Sequence, residues 1–181
     1  MVKWLLIAFV IGVALLLWRL TAFANRNLPK AGGVAPDFSL PDQNGAMRTS
    51  GEFRGKWLVL YFYPRDDTPG CTREACAFRD RKAELQKHGA AVLGVSTDSL
   101  ESHRSFRDKF ELNFPLLVDA DHNVAERYGA WREKNMYGKK SMGIQRSTFL
   151  IDSDGKVAKV WKQVKVDGHD EQVLAALAEL R

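Results

Sequence analysis

The sequence is poor in the residues that build metal centres. It contains two cysteines and four histidines, and the histidines stand singly at His88, His103, His122 and His169. Because a structural zinc site needs about four protein ligands, this scatter argues against a metal centre, and we expect neither a metal nor another cofactor. Internal repeats and low-complexity tracts are also missing. The 45% hydrophobic and 27% charged residues are typical of a globular chain with a packed core.

The sequence also lacks clusters of one charge sign. The formal net charge is +5, but basic and acidic residues alternate, as in Arg79-Asp80-Arg81-Lys82. Such mixing is typical of a solvated helix face and not of a surface that binds nucleic acid. We therefore expect no nucleic-acid partner.

Long apolar runs are missing except at the N-terminus, where Trp4 to Trp18 is uncharged. A membrane span needs about 20 mostly apolar residues, a length that is reached if the segment extends to Phe23 and Arg19 snorkels to the interface. We expect residues 1–24 to form an N-terminal hydrophobic helix that anchors the chain in a membrane through residues 4–23.

The charges around this segment predict its orientation. Lys3 precedes it, whereas Arg19, Arg26 and Lys30 follow it, so the positive-inside rule places the domain that follows on the cytoplasmic face. A cleaved signal peptide is the alternative, because Ala22-Phe23-Ala24 fits a small-x-small cleavage site. In that case the protein is exported to the periplasm after cleavage near Ala24.

The remainder of the chain is interpreted as a linker, residues 25–33, followed by one domain, residues 34–181. Strands are expected at 38–40, 57–63, 91–96, 114–119, 147–152 and 157–164. Helices are expected at 68–88, 99–110, 123–128 and 168–180. Strands that alternate with helices and end in a hairpin predict an α/β fold, a mixed central sheet with helices on both faces.

The position of Cys71 is typical of a nucleophile. Pro69 and Gly70 lie between a predicted central strand and a predicted helix, so Cys71 falls in the first helical turn. The unpaired N–H groups and the positive end of the helix dipole stabilise a thiolate there.

The spacing of Cys71 and Cys76 indicates a pair that changes state. Helical residues five apart have Cα atoms roughly 8.6 Å apart, whereas a disulfide tolerates about 7 Å at most. The two cysteines can therefore bond only if the first helical turns melt. Two alternatives stay open: a structural disulfide, although so short a loop restrains little chain entropy, and two inert buried thiols.

These residues carry a resemblance to a known family. The pattern Pro64-x-x-x-Thr68-x-x-Cys71 is similar to the peroxidatic motif of the peroxiredoxins, and Cys76 resembles the resolving cysteine of their bacterioferritin-comigratory-protein, or Q-type, subgroup. Residues 35–38 and 131–149 also resemble that subgroup. The likeness covers residues 33–181 and leaves the N-terminal segment without a counterpart.

The resemblance implies a thioredoxin-like fold and a thiol peroxidase that reduces hydrogen peroxide and organic hydroperoxides. It implies that Cys71 attacks the peroxide, that Cys76 resolves the resulting sulfenic acid, and that thioredoxin or a similar dithiol recycles the disulfide. It further implies that Thr68 and Arg146 orient the peroxide and that Pro64 shields the pocket. We expect a monomer or weak dimer.

Each of these interpretations has an alternative. From the sequence alone, Thr68 could be only a helix N-cap, Arg146 an ordinary surface cation, and Glu74 an acid that favours the helix dipole. A membrane-tethered thiol–disulfide oxidoreductase on the same fold is a rival function, although it would require C-x-x-C at the helix start. A redox-dependent chaperone or sensor is another.

Overall fold

The computed structural model describes residues 29–136 and 139–180. The nine strands in these ranges are β1 (Ser39–Pro41), β2 (Met47–Thr49), β3 (Trp57–Phe62), β4 (Ala90–Ser96), β5 (Leu116–Val118), β6 (Trp131–Met136), β7 (Lys139–Ile144), β8 (Ser147–Ile151) and β9 (Val157–Lys162). The α-helices are α1 (Pro69–Asp80), α2 (Lys82–Lys87), α3 (Leu100–Phe110), α4 (Asn123–Arg127) and α5 (His169–Glu179), and a 3-10 helix covers Ser50–Phe53.

The central sheet has five strands in the order β5-β4-β3-β8-β9. Strands β3, β4 and β5 are parallel, β8 runs antiparallel to β3, and β9 runs antiparallel to β8 and so in the direction of β3. The predicted α/β fold with a mixed central sheet is thereby confirmed. The hairpin β1–β2 and the hairpin β6–β7 form separate two-stranded sheets.

The apolar run of β3 is buried because the sheet is covered on both faces. Leu58, Leu60 and Phe62 lie in one core cluster, to which α4 contributes Val124 and Ala125. The alternate residues Val59, Tyr61 and Tyr63 lie in the second cluster, on the opposite face of the sheet. Helices α1, α2, α3 and α5 cover that second face through the side chains of Phe78, Leu85, Phe106 and Val173.

The predicted single helix at 68–88 is wrong in one respect, because the chain leaves the helical conformation at Arg81. Arg81 has φ −87° and ψ 4°, and its side chain bonds Asp170 of α5 at 3.1 Å. A contact between residues so distant in sequence leaves no trace in local periodicity. The hairpin β6–β7 was likewise not predicted as strands, because its residues are mostly charged and polar.

The predicted membrane localisation requires correction. No helix among residues 29–136 and 139–180 is long and apolar enough to cross a membrane, so the described part of the chain gives that prediction no support. The N-terminal hydrophobic helix, the anchor at residues 4–23 and the cleavage site near Ala24 lie outside the described residues. The division into residues 1–24, 25–33 and 34–181 stays a prediction, and membrane attachment plays no part in the function proposed for this chain.

The sheet contains one very close approach. Gly94 of β4 lies between Tyr61 of β3 and Leu116 of β5, and a Cβ atom at Gly94 would come within 2.8 Å of the Tyr61 ring and 2.9 Å of Leu116 Cδ2. Real Cβ atoms do not approach neighbours so closely, so any side chain at this position must displace the buried Tyr61.

We therefore predict that Gly94→Ala lowers the free energy of unfolding by about 1–3 kcal/mol, the usual result of overpacking a core. Urea denaturation monitored by circular dichroism measures this change. Gly51→Ala is the matched control, since its Cβ would meet only Thr49 Oγ1 at 3.8 Å. Equal stability of the two variants would show that the sheet relaxes around the added methyl group and would contradict the prediction.

Candidate active site

Cys71 lies at the N-terminus of α1, as predicted. The helix begins at Pro69 with Thr68 as its N-cap, and the first helical hydrogen bond runs from the Thr72 N–H to the Thr68 carbonyl, 2.8 Å. The Cys71 side chain is 1% exposed, and its amide is among the helix-terminal N–H groups that have no partner within the helix. Partial positive charge therefore surrounds a buried sulfur atom.

Arg146, which is far from Cys71 in the sequence, contacts it in the folded chain. It lies between β7 and β8, and its Nη2 is 3.1 Å from Cys71 Sγ. Its Nη1 donates to Glu74 Oε2. The guanidinium thus binds the sulfur and a carboxylate together, which the planar fork of arginine allows. Arg146 is not the surface cation that the sequence alone left open.

Gly70 provides the space for this contact. A Cβ atom at Gly70 would lie 3.3 Å from Arg146 Nη2. A larger residue at this position would push the guanidinium away from the first turn of α1.

Glu74 is a part of the site that the sequence interpretation missed. Its side chain is 1% exposed, and Oε1 has no hydrogen-bond partner among the described residues. A signal was available, because Glu74 stands in the helical stripe of Cys71, Ala75 and Phe78, all of which are buried. An acid on the core face of an amphipathic helix predicts a buried ion pair, not a solvated charge near the helix dipole.

Burial and the ion pair shift the pKa of Glu74 in opposite directions, and the same holds for the pKa of Arg146. Burial raises the pKa of Glu74 to about 7, although the charge of Arg146 and its hydrogen bond oppose the shift. Burial tends to lower the pKa of Arg146, but the charges of Glu74 and Cys71 outweigh it and raise that pKa. Arg146 therefore remains cationic, and Glu74 exchanges its proton near neutral pH.

Thr68 occupies the N-cap position but does not act as a side-chain cap. Its hydroxyl donates to the carbonyl of Arg65 at 3.1 Å, and it makes no capping hydrogen bond to α1. The oxygen therefore keeps lone pairs that can accept a hydrogen bond. Pro64, which begins the loop after β3, is exposed, and its shielding of the pocket stays a prediction.

Lys134 is a second cation near the sulfur and was not predicted. Its half-buried side chain crosses Gly143 on the opposite strand of the β6–β7 hairpin, with Nζ 3.6 Å from a Cβ position there. Burial lowers the pKa of Lys134 first, the charge of Arg146 lowers it further, and Cys71 acts in the opposite direction. Two basic side chains thus act on the environment of Cys71.

Cys76 lies farther along α1. Both thiols are free, Cys71 is buried and Cys76 is half-buried. Helix α1 is continuous from Pro69 to Asp80, so the helical geometry that separates the two sulfur atoms applies. In this state the cysteines are too far apart to bond.

Comparisons with known proteins agree with this geometry. The model of the AhpC/TSA family matches residues 31–160. Peroxiredoxin Bcp of Escherichia coli K12 is 49% identical over 150 residues, which are 83% of this chain and 96% of that protein. Peroxiredoxin Bcp of Bacillus subtilis is 46% identical over 149 residues, 82% of this chain and 95% of that protein.

Solved structures give the same result. The bacterioferritin comigratory protein of Xanthomonas campestris has a TM-score of 0.78 and 43% identity, and the match covers 83% of this chain and 99% of that one. A peroxiredoxin Q structure from the same organism has a TM-score of 0.75 and 46% identity over 78% of this chain and 90% of that one.

The chain therefore belongs to the AhpC/TSA family. Its similarity to the Bcp peroxiredoxins, which extends over nearly their whole length, confirms the predicted enzyme class, an oxidoreductase of the thiol peroxidase type. The thioredoxin-like fold that the resemblance implied is confirmed as well.

The buried acid at position 74 gives stability a defined pH dependence. Between pH 4.5 and about 7 the folded chain holds a proton on Glu74 that the unfolded chain has released, so raising the pH through this window destabilises the folded state. We predict that the stability of wild type relative to Glu74→Gln falls by up to about 3 kcal/mol across the window. Urea titrations at a series of pH values measure the difference.

His169 provides a control of opposite sign. It is buried against Thr148, and burial lowers its pKa to about 4. Between pH 4 and 6.5 the unfolded chain binds the extra proton, so this group makes stability rise with pH. As the pH rises, the free energy of unfolding of wild type relative to His169→Asn should therefore increase, whereas that relative to Glu74→Gln should decrease. Parallel curves for the two variants would contradict the assignment.

Proposed function

We propose that this chain reduces hydrogen peroxide and organic hydroperoxides through a sulfenic acid on Cys71 and a disulfide between Cys71 and Cys76, which thioredoxin or a similar dithiol recycles. The observation that carries the proposal is the contact of 3.1 Å between Arg146 Nη2 and Cys71 Sγ at the start of α1. The Xanthomonas relative is described as having alkyl peroxide reduction activity, which supports organic hydroperoxides as substrates.

The chemistry proceeds in three balanced steps. The Cys71 thiolate attacks one peroxide oxygen, the O–O bond breaks, and its electron pair leaves with the other oxygen as an alkoxide or hydroxide that takes up a proton. Cys71 becomes a sulfenic acid. The Cys76 thiol then displaces water from the sulfenic acid and forms the disulfide. An external dithiol reduces that disulfide by two thiol–disulfide exchanges and is itself oxidised.

Thiol ionisation alone is too small an effect to explain a fast peroxidase. A cysteine with the ordinary pKa of about 8.5 is about 3% thiolate at pH 7, so full ionisation increases the reactive fraction about 30-fold. A pKa lower by two units also reduces nucleophilicity about tenfold. The net gain is severalfold, and most of the acceleration has to come from positioning and from stabilisation of the leaving oxygen.

The residues around Cys71 supply both effects in this proposal. The Cys71 amide and Arg146 offer donors to the leaving oxygen, and the Thr68 hydroxyl, already donating to Arg65, accepts a hydrogen bond from the peroxide O–H. Glu74 holds the guanidinium in its orientation. Lys134 adds positive charge from the hairpin.

The second step requires movement. Because α1 separates the cysteines, the turns that contain Cys71 must melt before Cys76 reaches it. Formation of the sulfenic acid replaces the thiolate that Arg146 contacts, so the charge interaction that holds the first turn is weakened. The oligomeric state, a monomer or weak dimer, stays a prediction.

Substitution of the two cysteines tests the proposal. We predict that Cys71→Ser abolishes peroxide consumption and that Cys76→Ser completes a single turnover, leaving Cys71 as a sulfenic or over-oxidised acid. Peroxide consumption by the thioredoxin-recycled protein and intact mass of the products measure these outcomes. Disulfide exchange with other proteins in the absence of peroxide consumption would favour the oxidoreductase instead.

Arg146 is tested by a substitution that keeps the charge. Arg146→Lys retains a cation but cannot bind Cys71 and Glu74 with one planar group, so we predict that kcat/KM for hydrogen peroxide falls about 100-fold or more, as when one preorganised donor is lost. Arg127→Lys, on the exposed surface of α4, is the matched control and should leave kcat/KM unchanged. Full activity of Arg146→Lys would show that charge alone suffices.

A further inference from the structure

A buried polar cluster lies behind the loop that connects β3 to α1, apart from the contacts of Cys71. Its centre is the pair Asp66 and His103, which are 7% and 0% exposed. Asp66 stands in the loop two residues before Thr68, and His103 lies on α3. Burial of an acid and an imidazole together is costly unless they form a hydrogen-bonded pair.

Each atom of the pair has a partner. Asp66 Oδ1 accepts from the Tyr63 hydroxyl at 2.7 Å. Asp66 Oδ2 accepts from the Ser102 hydroxyl at 2.7 Å and lies 2.7 Å from His103 Nδ1. His103 Nε2 lies 3.2 Å from the carbonyl oxygen of Leu117. No polar atom of Asp66 or His103 is left without a partner.

The partners define where the protons are. A carbonyl oxygen only accepts, so His103 Nε2 carries a proton. Burial, Tyr61 and Asp66 raise the pKa of Tyr63 well above its ordinary value, so Tyr63 keeps the proton that it donates. Asp66 thus accepts hydrogen bonds from two hydroxyls, and one short contact joins it to the imidazole of His103.

The loop is held through the side chain of Asp66, which contacts His103, and also through its backbone, which bonds to a second acid, Asp98. The Asp66 N–H donates to Asp98 Oδ2 at 2.8 Å, and the Ser96 hydroxyl donates to the same oxygen at 2.8 Å. The loop before Thr68 is therefore attached to the end of β4 and to α3. None of these bonds involves Cys71, whereas the Arg146 contact on the far side of the first turn does.

We propose that the Asp66–His103 pair is a positioning device: it holds the Thr68 loop against α3 and so sets the balance between folded α1, in which Cys71 reacts with peroxide, and melted α1, in which Cys76 reaches Cys71. The inference rests on the proposed function. Because no bond of the pair involves Cys71, oxidation of Cys71 in this proposal releases only the Arg146 side of the turn.

Weakening the pair should change the rates of the two chemical steps in opposite directions. In Asp66→Asn and His103→Gln we expect sulfenic acid formation to slow about tenfold, because the Thr68 loop is less well placed, and disulfide formation to accelerate severalfold. Stopped-flow tryptophan fluorescence and quenched intact mass separate the steps. Ser102→Ala removes one donor only and should show the same changes at smaller size, which keeps the test available if a stronger variant does not fold.

Two further readouts do not depend on catalysis. Amide hydrogen exchange of residues 69–80 in the reduced protein should accelerate in the variants, and ring ¹⁵N shifts of wild type should show a proton on His103 Nε2, which faces the Leu117 carbonyl. His169→Gln is the control for general destabilisation. It removes a buried imidazole bonded to Thr148 and should leave the ratio of the two step rates unchanged.

The outcomes separate this inference from the proposed function. If wild type reacts with peroxide but the variants slow both steps alike, or leave exchange in α1 unchanged, the positioning device is refuted. A His103 ring with no proton on Nε2 would refute it as well, because the bond to the Leu117 carbonyl would then be missing. If exchange accelerates as expected while wild-type Cys71 ignores peroxide, the proposed function fails and the device remains as a control of α1 stability.

Discussion

The site depends on one guanidinium group shared between a sulfur and a carboxylate. Arg146 reaches Cys71 through Nη2 and Glu74 through Nη1, and both partners are buried on one face of α1. Without Arg146, the thiol of Cys71 and the carboxyl group of Glu74 would be buried with no guanidinium beside them, and an unpaired buried acid is costly. Without Glu74 the guanidinium would lose the contact that fixes its orientation.

The fold makes this shared contact possible by bringing distant segments together. Strand β3 delivers the loop and α1, and β8, its antiparallel neighbour, brings Arg146 next to the first helical turn. Gly70 leaves room for the guanidinium, and the Val164 N–H bonds the Arg146 carbonyl at 3.1 Å, so the backbone at Arg146 is tied to the chain after β9. The same few residues thus contribute to the stability of α1 and to the reactivity of Cys71.

The sequence was sufficient where local pattern decides structure. The apolar run of β3, the helix α3 that was expected at 99–110 and the hairpin at 153–155 follow from side-chain type and turn chemistry, and Cys71 follows from its place after Pro69 and Gly70. Contacts between distant residues could not be predicted in this way. The break at Arg81, the partnership of Arg146 with Glu74 and the pairing of Asp66 with His103 each depend on segments that meet only in the folded chain. The charged β6–β7 hairpin carried no apolar alternation to reveal it, and Lys134 was missed with it.

The most direct test compares how Cys71 reacts with peroxide and with an alkylating agent that has no O–O bond. The reduced protein would be mixed with hydrogen peroxide and, separately, with iodoacetamide, and each rate constant compared with that of an ordinary thiolate. If the residues around Cys71 are arranged for an O–O bond, the peroxide rate will exceed the ordinary value by several orders of magnitude while the iodoacetamide rate stays near it. Equal enhancement toward both reagents would mean that Cys71 is only an activated thiol and would contradict the role given to Arg146 and Thr68.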